Sequence, residues 1–205
     1  MDDAYFTIKT ESEVETKVKA SRFIGRTLIV ATTDEMLEQL SAIRKLEYNA
    51  NHNCYTYIIG ITEHETEFKY SDDGEPNGTA GKPMYDVVAG SGVTNILTIV
   101  TRYFGGTKLG TGGLVKAYSE CAKLALEKSG KVEHFITDVY NIKIEFPLYN
   151  QLLQLIDRIG AKQIDSDFSD IVKLKLEVRK SKSDRLVQEI VELSSGKAKI
   201  EKEEI

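Results

Sequence analysis

Asn95-Ile-Leu-Thr-Ile-Val-Thr-Arg-Tyr-Phe-Gly-Gly-Thr-Lys-Leu-Gly-Thr-Gly-Gly113 changes character twice within one short run. Asn95 to Tyr103 is apolar and β-branched, the pattern of a buried strand. Phe104 to Gly113 holds five glycines, Gly105, Gly106, Gly110, Gly112 and Gly113. That density costs backbone entropy on folding and implies special dihedrals or close backbone approach. From Leu114 to Ser129 the spacing predicts a helix that Ser129-Gly130 stops. A strand, a glycine loop and a helix in this order aim free N–H groups and a helix N-terminus at one point, which suits an anion. Arg102, Lys108 and Lys116 add positive charge, and Arg102 and Lys108 are expected to face one cavity with the loop. The spacing is neither the phosphate-binding P-loop nor the dinucleotide fingerprint, and the alternative to an anion site is a tight turn with close strand–helix packing.

A second dense segment lies upstream. Ser71-Asp-Asp-Gly-Glu-Pro-Asn-Gly-Thr-Ala-Gly-Lys-Pro83 contains two of the 3 prolines of the chain and the acids Asp72, Asp73 and Glu75. Asp73-Gly74 and Asn77-Gly78 are turn formers. Thr79, Gly81 and Lys82 precede a short helix expected from Pro83 and form a second candidate anion cradle. Between Pro76 and Ser119 the basic residues Lys82, Arg102, Lys108 and Lys116 face one acid, Asp86, in a chain of net charge −5. Asp72, Asp73 and Glu75 could hold Mg²⁺ beside a bound phosphate, or could simply form turns and cap a helix. Tyr103 and Phe104, exposed, would stack on bases; as core residues they would not.

Together these segments resemble the signature of the YigZ/IMPACT family. Ser21-Arg-Phe-Ile-Gly25 and Asn51-His-Asn-Cys-Tyr55 fit its strand motifs, and Lys82 and Lys116 stand where arginine is frequent, which keeps charge but loses the bidentate fork. The resemblance implies an α+β protein of two domains. The N-terminal one is similar to the second domain of a small-subunit ribosomal protein. The C-terminal one is ferredoxin-like, similar to the fifth domain of elongation factor G. It also implies translational control, as in the eukaryotic relatives.

Around this centre, Tyr5–Glu15 and Phe23–Ala31 are expected strands. Thr32-Thr-Asp-Glu35 is a capping box before a helix whose apolar face is Met36, Leu37, Leu40, Ile43 and Leu46. Strands at about Asn53–Ile61 and Glu67–Ser71 follow. Past about Phe135 the pattern is β-α-β-β-α-β: a strand at Val139–Phe146, a helix after Pro147 ended by Gly160, a hairpin Ala161–Ser169/Ile171–Arg179, a helix carrying Leu186, Val187, Ile190 and Leu193, and a last strand. The expected domains are 1–135 and 138–205.

Composition sets outer limits. With 41% apolar and 29% charged residues the chain is an ordinary globular one. Its acidity leaves nucleic-acid binding to local surfaces. No apolar run reaches the roughly 20 residues of a membrane span, and Met1-Asp-Asp-Ala4 lacks the basic, apolar start of a signal peptide, so the cytoplasm is expected. Cys54 and Cys121 read as reduced core thiols. His52 and Cys54, two apart on a strand, share a face, which a core cysteine beside a satisfied histidine explains better than a nucleophile pair.

No metal ligand set or cofactor is read from the sequence. The first functional reading is a binding module that docks RNA or a ribosome-associated assembly through the two loops. The second is a Mg²⁺-dependent enzyme acting on a phosphorylated small molecule. The third is a regulator that binds a protein partner and uses its glycine loops structurally.

Overall fold

The computed structural model describes residues 3–62 and 64–203. It is a mixed α/β chain that divides into two compact units, Tyr5–His134 and the stretch from Phe135 onward, the latter taking in Asp3 and Ala4.

In the first unit the strands are β1 (Ala4–Ile8), β2 (Ser12–Val18), β3 (Ser21–Ile29), β4 (His52–Ile59), β5 (Glu67–Ser71), β6 (Ile96–Tyr103) and β7 (Lys131–Phe135). The helices are α1 (Thr33–Leu46), α2 (Gly81–Ser91) and α3 (Thr111–Ser129). Five strands form one sheet in the order β2-β3-β6-β4-β5, each neighbour antiparallel. The central strand β6 is buried on both faces, which is why its sequence is continuously apolar. Leu97 and Ile99 point to α1 and pack with Met36, Leu40 and Tyr57. Val100 points the other way, into a core with Phe23, Cys54, Leu114, Tyr118 and Cys121.

Two departures from the sequence reading have physical causes. The first strand is two strands: β1 leaves the main sheet to pair with β7, and between β1 and β2 the Lys9 and Thr10 amides donate to the carbonyls of Gly130 and Ser129 at the end of α3. On α1 only Met36 and Leu40 are buried, while Leu37 and Leu46 are more than half exposed. Half of the capping box forms, the Glu35 amide donating to Thr32 Oγ1, while the Glu35 carboxylate accepts from the Ala31 amide, one residue before the cap.

The second unit comprises β8 (Thr137–Ile144), α4 (Tyr149–Ile159), β9 (Lys162–Phe168), β10 (Val172–Arg179), α5 (Ser183–Leu193) and β11 (Lys199–Lys202). Its antiparallel sheet runs β11-β8-β10-β9. Ile142, Ile144, Leu174 and Leu176 meet Leu152, Ile159, Leu186 and Ile190 in one core. Alternation leaves Lys143, Lys173 and Lys175 on the opposite face of the sheet. Gly160 ends α4 in the left-handed conformation (φ 75°). Among the described residues no helix is long and apolar enough to cross a membrane.

Candidate functional site

The Ser71–Pro83 segment joins β5 to α2, and its polar groups turn inward. Asp72 accepts from three amides, those of Gly78 (2.9 Å), Ala80 (2.9 Å) and Gly81 (2.8 Å). It therefore ties the loop to the first turn of α2. That first turn has no other carboxylate, and a negative charge there is favourable. Asp73 spends one oxygen on the Asn53 amide (2.6 Å) and the other on Arg44 (2.9 Å). Thr79 is buried and donates to the Pro76 carbonyl (2.6 Å). A Cβ at Gly81 would lie 2.7 Å from the Ser71 backbone, so that glycine serves chain packing. Lys82 is exposed and paired with Asp86 at 2.5 Å. Gly74 lies beside the His52 ring. The acids expected to face a metal are therefore satisfied by the loop and its neighbours.

Glu75 is the centre of this inward network. It accepts from Arg102 Nη1 (2.6 Å) and the Tyr118 hydroxyl (2.7 Å), and His52 Nε2 stands 3.9 Å away. Arg102 is 4% exposed. Its guanidinium also donates to Ser21 Oγ (3.3 Å) and lies against the rings of Phe23 and Phe104. This corrects the expectation that Arg102 and Lys108 face a common cavity: Arg102 is buried in an ion pair and Lys108 is exposed. Burying a charge demands a partner, and Glu75 is the one that reaches it.

His52 and Cys54 do share the face of β4 that carries this network. His52 Nδ1 meets the Asp73 carbonyl at 2.9 Å. Cys54 is wholly buried, donates to the Asp72 carbonyl at 3.0 Å, and burial pushes its thiol well above the ordinary range. Burial also pushes Cys121 up to about 11. Neither thiol is activated as a nucleophile.

Tyr103, on the opposite face of the sheet, donates to Glu47 (2.5 Å) while Arg22 stacks on its ring at 4.4 Å. Sequence reading missed this second network, in which buried Arg26 pairs with Glu47 and with Glu13 (2.7 Å). For Glu47, burial acts to raise the carboxyl, but hydrogen bonds from Tyr103 and Arg26 outweigh it and hold the carboxyl below its usual range. The available signal was alternation in β3, which places Arg26 on the face that α1 covers.

The glycine loop has the opposite character beyond its first two residues. The Phe104 amide donates to Asn51 Oδ1 (2.8 Å) and the Gly105 amide to Ser21 Oγ (3.3 Å). A Cβ at Gly105 would stand 1.8 Å from the Ala20 carbonyl oxygen. Phe104 and Gly105 are exposed as well, so what changes at Gly106 is the anchoring of the backbone. Gly106, Lys108, Gly110, Thr111, Gly112 and Lys116 are exposed, and Gly113 is half-buried. Gly110 caps α3 at φ 76° with no side-chain bond to the first turn, and nothing approaches within 4 Å of where a Cβ would sit at Gly106, Gly110 or Gly112. Lys19 reaches over to the Lys108 carbonyl at 3.3 Å. Phe104, 44% exposed, borders this surface.

The aromatic residues near the loops separate in the same way. Tyr118 is core. Tyr85 stacks on Phe68 (centroids 4.8 Å) and contacts Tyr70 (5.6 Å), and Phe68 and Tyr70 are exposed on the edge strand β5.

Residues 19–126 match the Impact N-terminal domain, and residues 142–197 match a domain of unknown function (DUF1949). The chain is 33% identical to the IMPACT family member YvyE of Bacillus subtilis, over 98% of this chain and 92% of that one. It is 32% identical to the IMPACT family member YigZ of Escherichia coli, over 88% of each. A crystal structure of a hypothetical protein, 29% identical, superposes with a TM-score of 0.68 over 98% of this chain and 97% of that one.

Proposed function

Because the chain belongs to the IMPACT family, we propose that it is a binding and regulatory protein of the translation apparatus, docking RNA or an RNA-bearing ribosomal assembly on the surface from Phe104 to Lys116. The observation that carries this reading is the uncapped, solvent-open first turn of α3. Gly110 leads into it, Lys108 and Lys116 lie on either side in the chain, and nothing crowds Gly106, Gly110 or Gly112. Free amides, the positive end of a 19-residue helix and two lysines are complementary to phosphate oxygens. The exposed ring of Phe104 offers a base a surface to stack on. The likeness to ribosomal-protein and elongation-factor domains implied by the sequence points to the same machinery, as an analogy of folds.

The enzyme reading has less support. Asp72 and Asp73 would have to release amides and Arg44, and Glu75 would have to release Arg102 and Tyr118, before any of them could ligate Mg²⁺. The protein-partner reading is favoured by one feature, the exposed rings of Phe68 and Tyr70 on an edge strand.

The test is binding of single-stranded RNA as a function of salt. Lys108→Ala and Lys116→Ala should each flatten the slope of log affinity against log salt by about 0.7, one phosphate contact apiece, without lowering the melting temperature. An unchanged slope in both variants refutes the site. Nuclease-resistant capture of a protein partner that depends on Phe68 would favour the other reading.

A further inference from the structure

The open face of the C-terminal sheet carries a charge pattern that the fold does not require. Strand register places Lys199 directly opposite Lys143, and Lys143 directly opposite Lys173. Three lysines therefore form one row across β11, β8 and β10. With strands about 4.8 Å apart, the row spans roughly 10 Å. Like charges directly opposite one another destabilise a sheet. Lys173, the third member of the row, is neutralised by Asp167 on β9 at 2.8 Å, and Lys175 on the same face by Glu203 at 2.8 Å. Among the described residues, Lys143 and Lys199 have no carboxylate partner. Glutamate or threonine at 143 would remove the repulsion, so the row is a stability cost without a structural return.

The row borders a shallow cleft of about 280 Å³ on the same face, whose charged lining is Lys143, Lys173 and Lys175 with Asp165, Asp167 and Glu201. Across all four strands the lysine row ends on Asp167, three cations against one acid, whereas the next row, Glu201–Asn141–Lys175–Asp165, carries one cation against two acids. The positive stripe is thus one residue wide. A duplex would press its charge against both rows, whereas a single strand can follow one. Thr137, Val139, Asn141, Lys143, Lys173, Lys175, Glu177 and Arg179 make up this face of the two central strands, and none is aromatic.

We infer that Lys199 and Lys143, the two lysines of this row without a carboxylate partner, bind the phosphodiester backbone of single-stranded RNA, as a second contact in addition to the α3 surface. This rests on the reading above that the partner is RNA. Lysine is a compact point charge on a flexible stem, suited to successive phosphates rather than to one bidentate group. Without aromatic side chains to hold bases, the contact tolerates any sequence.

The test uses the full chain and labelled oligouridylate, with anisotropy followed through a salt titration. Lys143→Gln should flatten the slope by about 0.7 and Lys143→Gln/Lys199→Gln by about 1.4, with no fall in melting temperature because repulsion is relieved. Lys175→Gln, on the same face but ion-paired, should leave the slope unchanged. The inference is overturned if Lys143→Gln keeps the wild-type slope, if Lys175→Gln flattens it equally, or if polyglutamate displaces RNA as well as unlabelled RNA does. Parallel titration of Lys108→Ala separates the two claims. Loss there with Lys143→Gln silent sinks this inference alone. The reverse pattern sinks the α3 surface alone.

Discussion

Glu75→Ala is expected to destabilise the protein by roughly 3–5 kcal/mol, the cost of leaving a buried guanidinium without its counter-charge. Arg102 has little access to water, and its Nε already lacks a partner. Removing Glu75 leaves the guanidinium only Ser21 and two aromatic faces, and leaves the buried Tyr118 hydroxyl only the Cys54 thiol. Arg102→Ala should cost a similar amount by the converse argument, so its loss cannot be read as the loss of a ligand contact. Glu75→Ala combined with Arg102→Met should cost less than the sum of the two single changes, since neither charge is then left alone. Urea unfolding decides the matter. A loss below about 1 kcal/mol for Glu75→Ala would mean that the pair is solvated, and that the Ser71–Pro83 segment is free to do something other than hold the fold.

Gly105→Ala is expected to cost about 3 kcal/mol or more, whereas Gly112→Ala, seven residues on, should gain about 0.5–1 kcal/mol. At Gly105 the new methyl group would meet the Ala20 carbonyl at 1.8 Å, and its backbone has no flexible end that could yield. Gly112 lies in the first turn of α3 at an ordinary helical φ with open space around it, so alanine only removes freedom from the unfolded chain. If Gly112→Ala stabilises the fold and also weakens RNA binding, the glycine is kept for access to the helix terminus. Equal stability effects at the two positions would contradict the division of this loop into an anchored start and an open remainder.

These contrasts show which parts of the molecule local sequence can reveal. β6 was legible because burial on both faces leaves a continuous apolar run, and α3 because a glycine loop opens it and Gly130 closes it. β7 was not. It is five residues long, and its partner β1 lies more than a hundred residues earlier, a pairing that leaves no local periodic signal. The acidic segment was legible as a place where polar groups gather. Whether Asp72 faces a cation or its own loop depends on where the amides of Gly78, Ala80 and Gly81 point, which composition does not encode. Arg102 read as a charge at the mouth of a strand. Its burial is a non-local event, caused by Glu75 folding over it from 27 positions upstream. The lysine row is more hidden still, because each lysine is unremarkable on its own strand and only the register sets three side by side.

The central claim is that the two glycine-rich segments divide their labour, the first an internal brace and the second the face offered to a phosphate-bearing partner. Amide-resolved NMR titration with single-stranded RNA tests it most directly. The account predicts that amides from Gly106 to Gly113 shift and saturate together, while those of Gly78, Ala80 and Gly81, bonded to Asp72, stay in place. Saturating shifts confined to residues 72–81, with the Gly106–Gly113 amides unmoved, would contradict it.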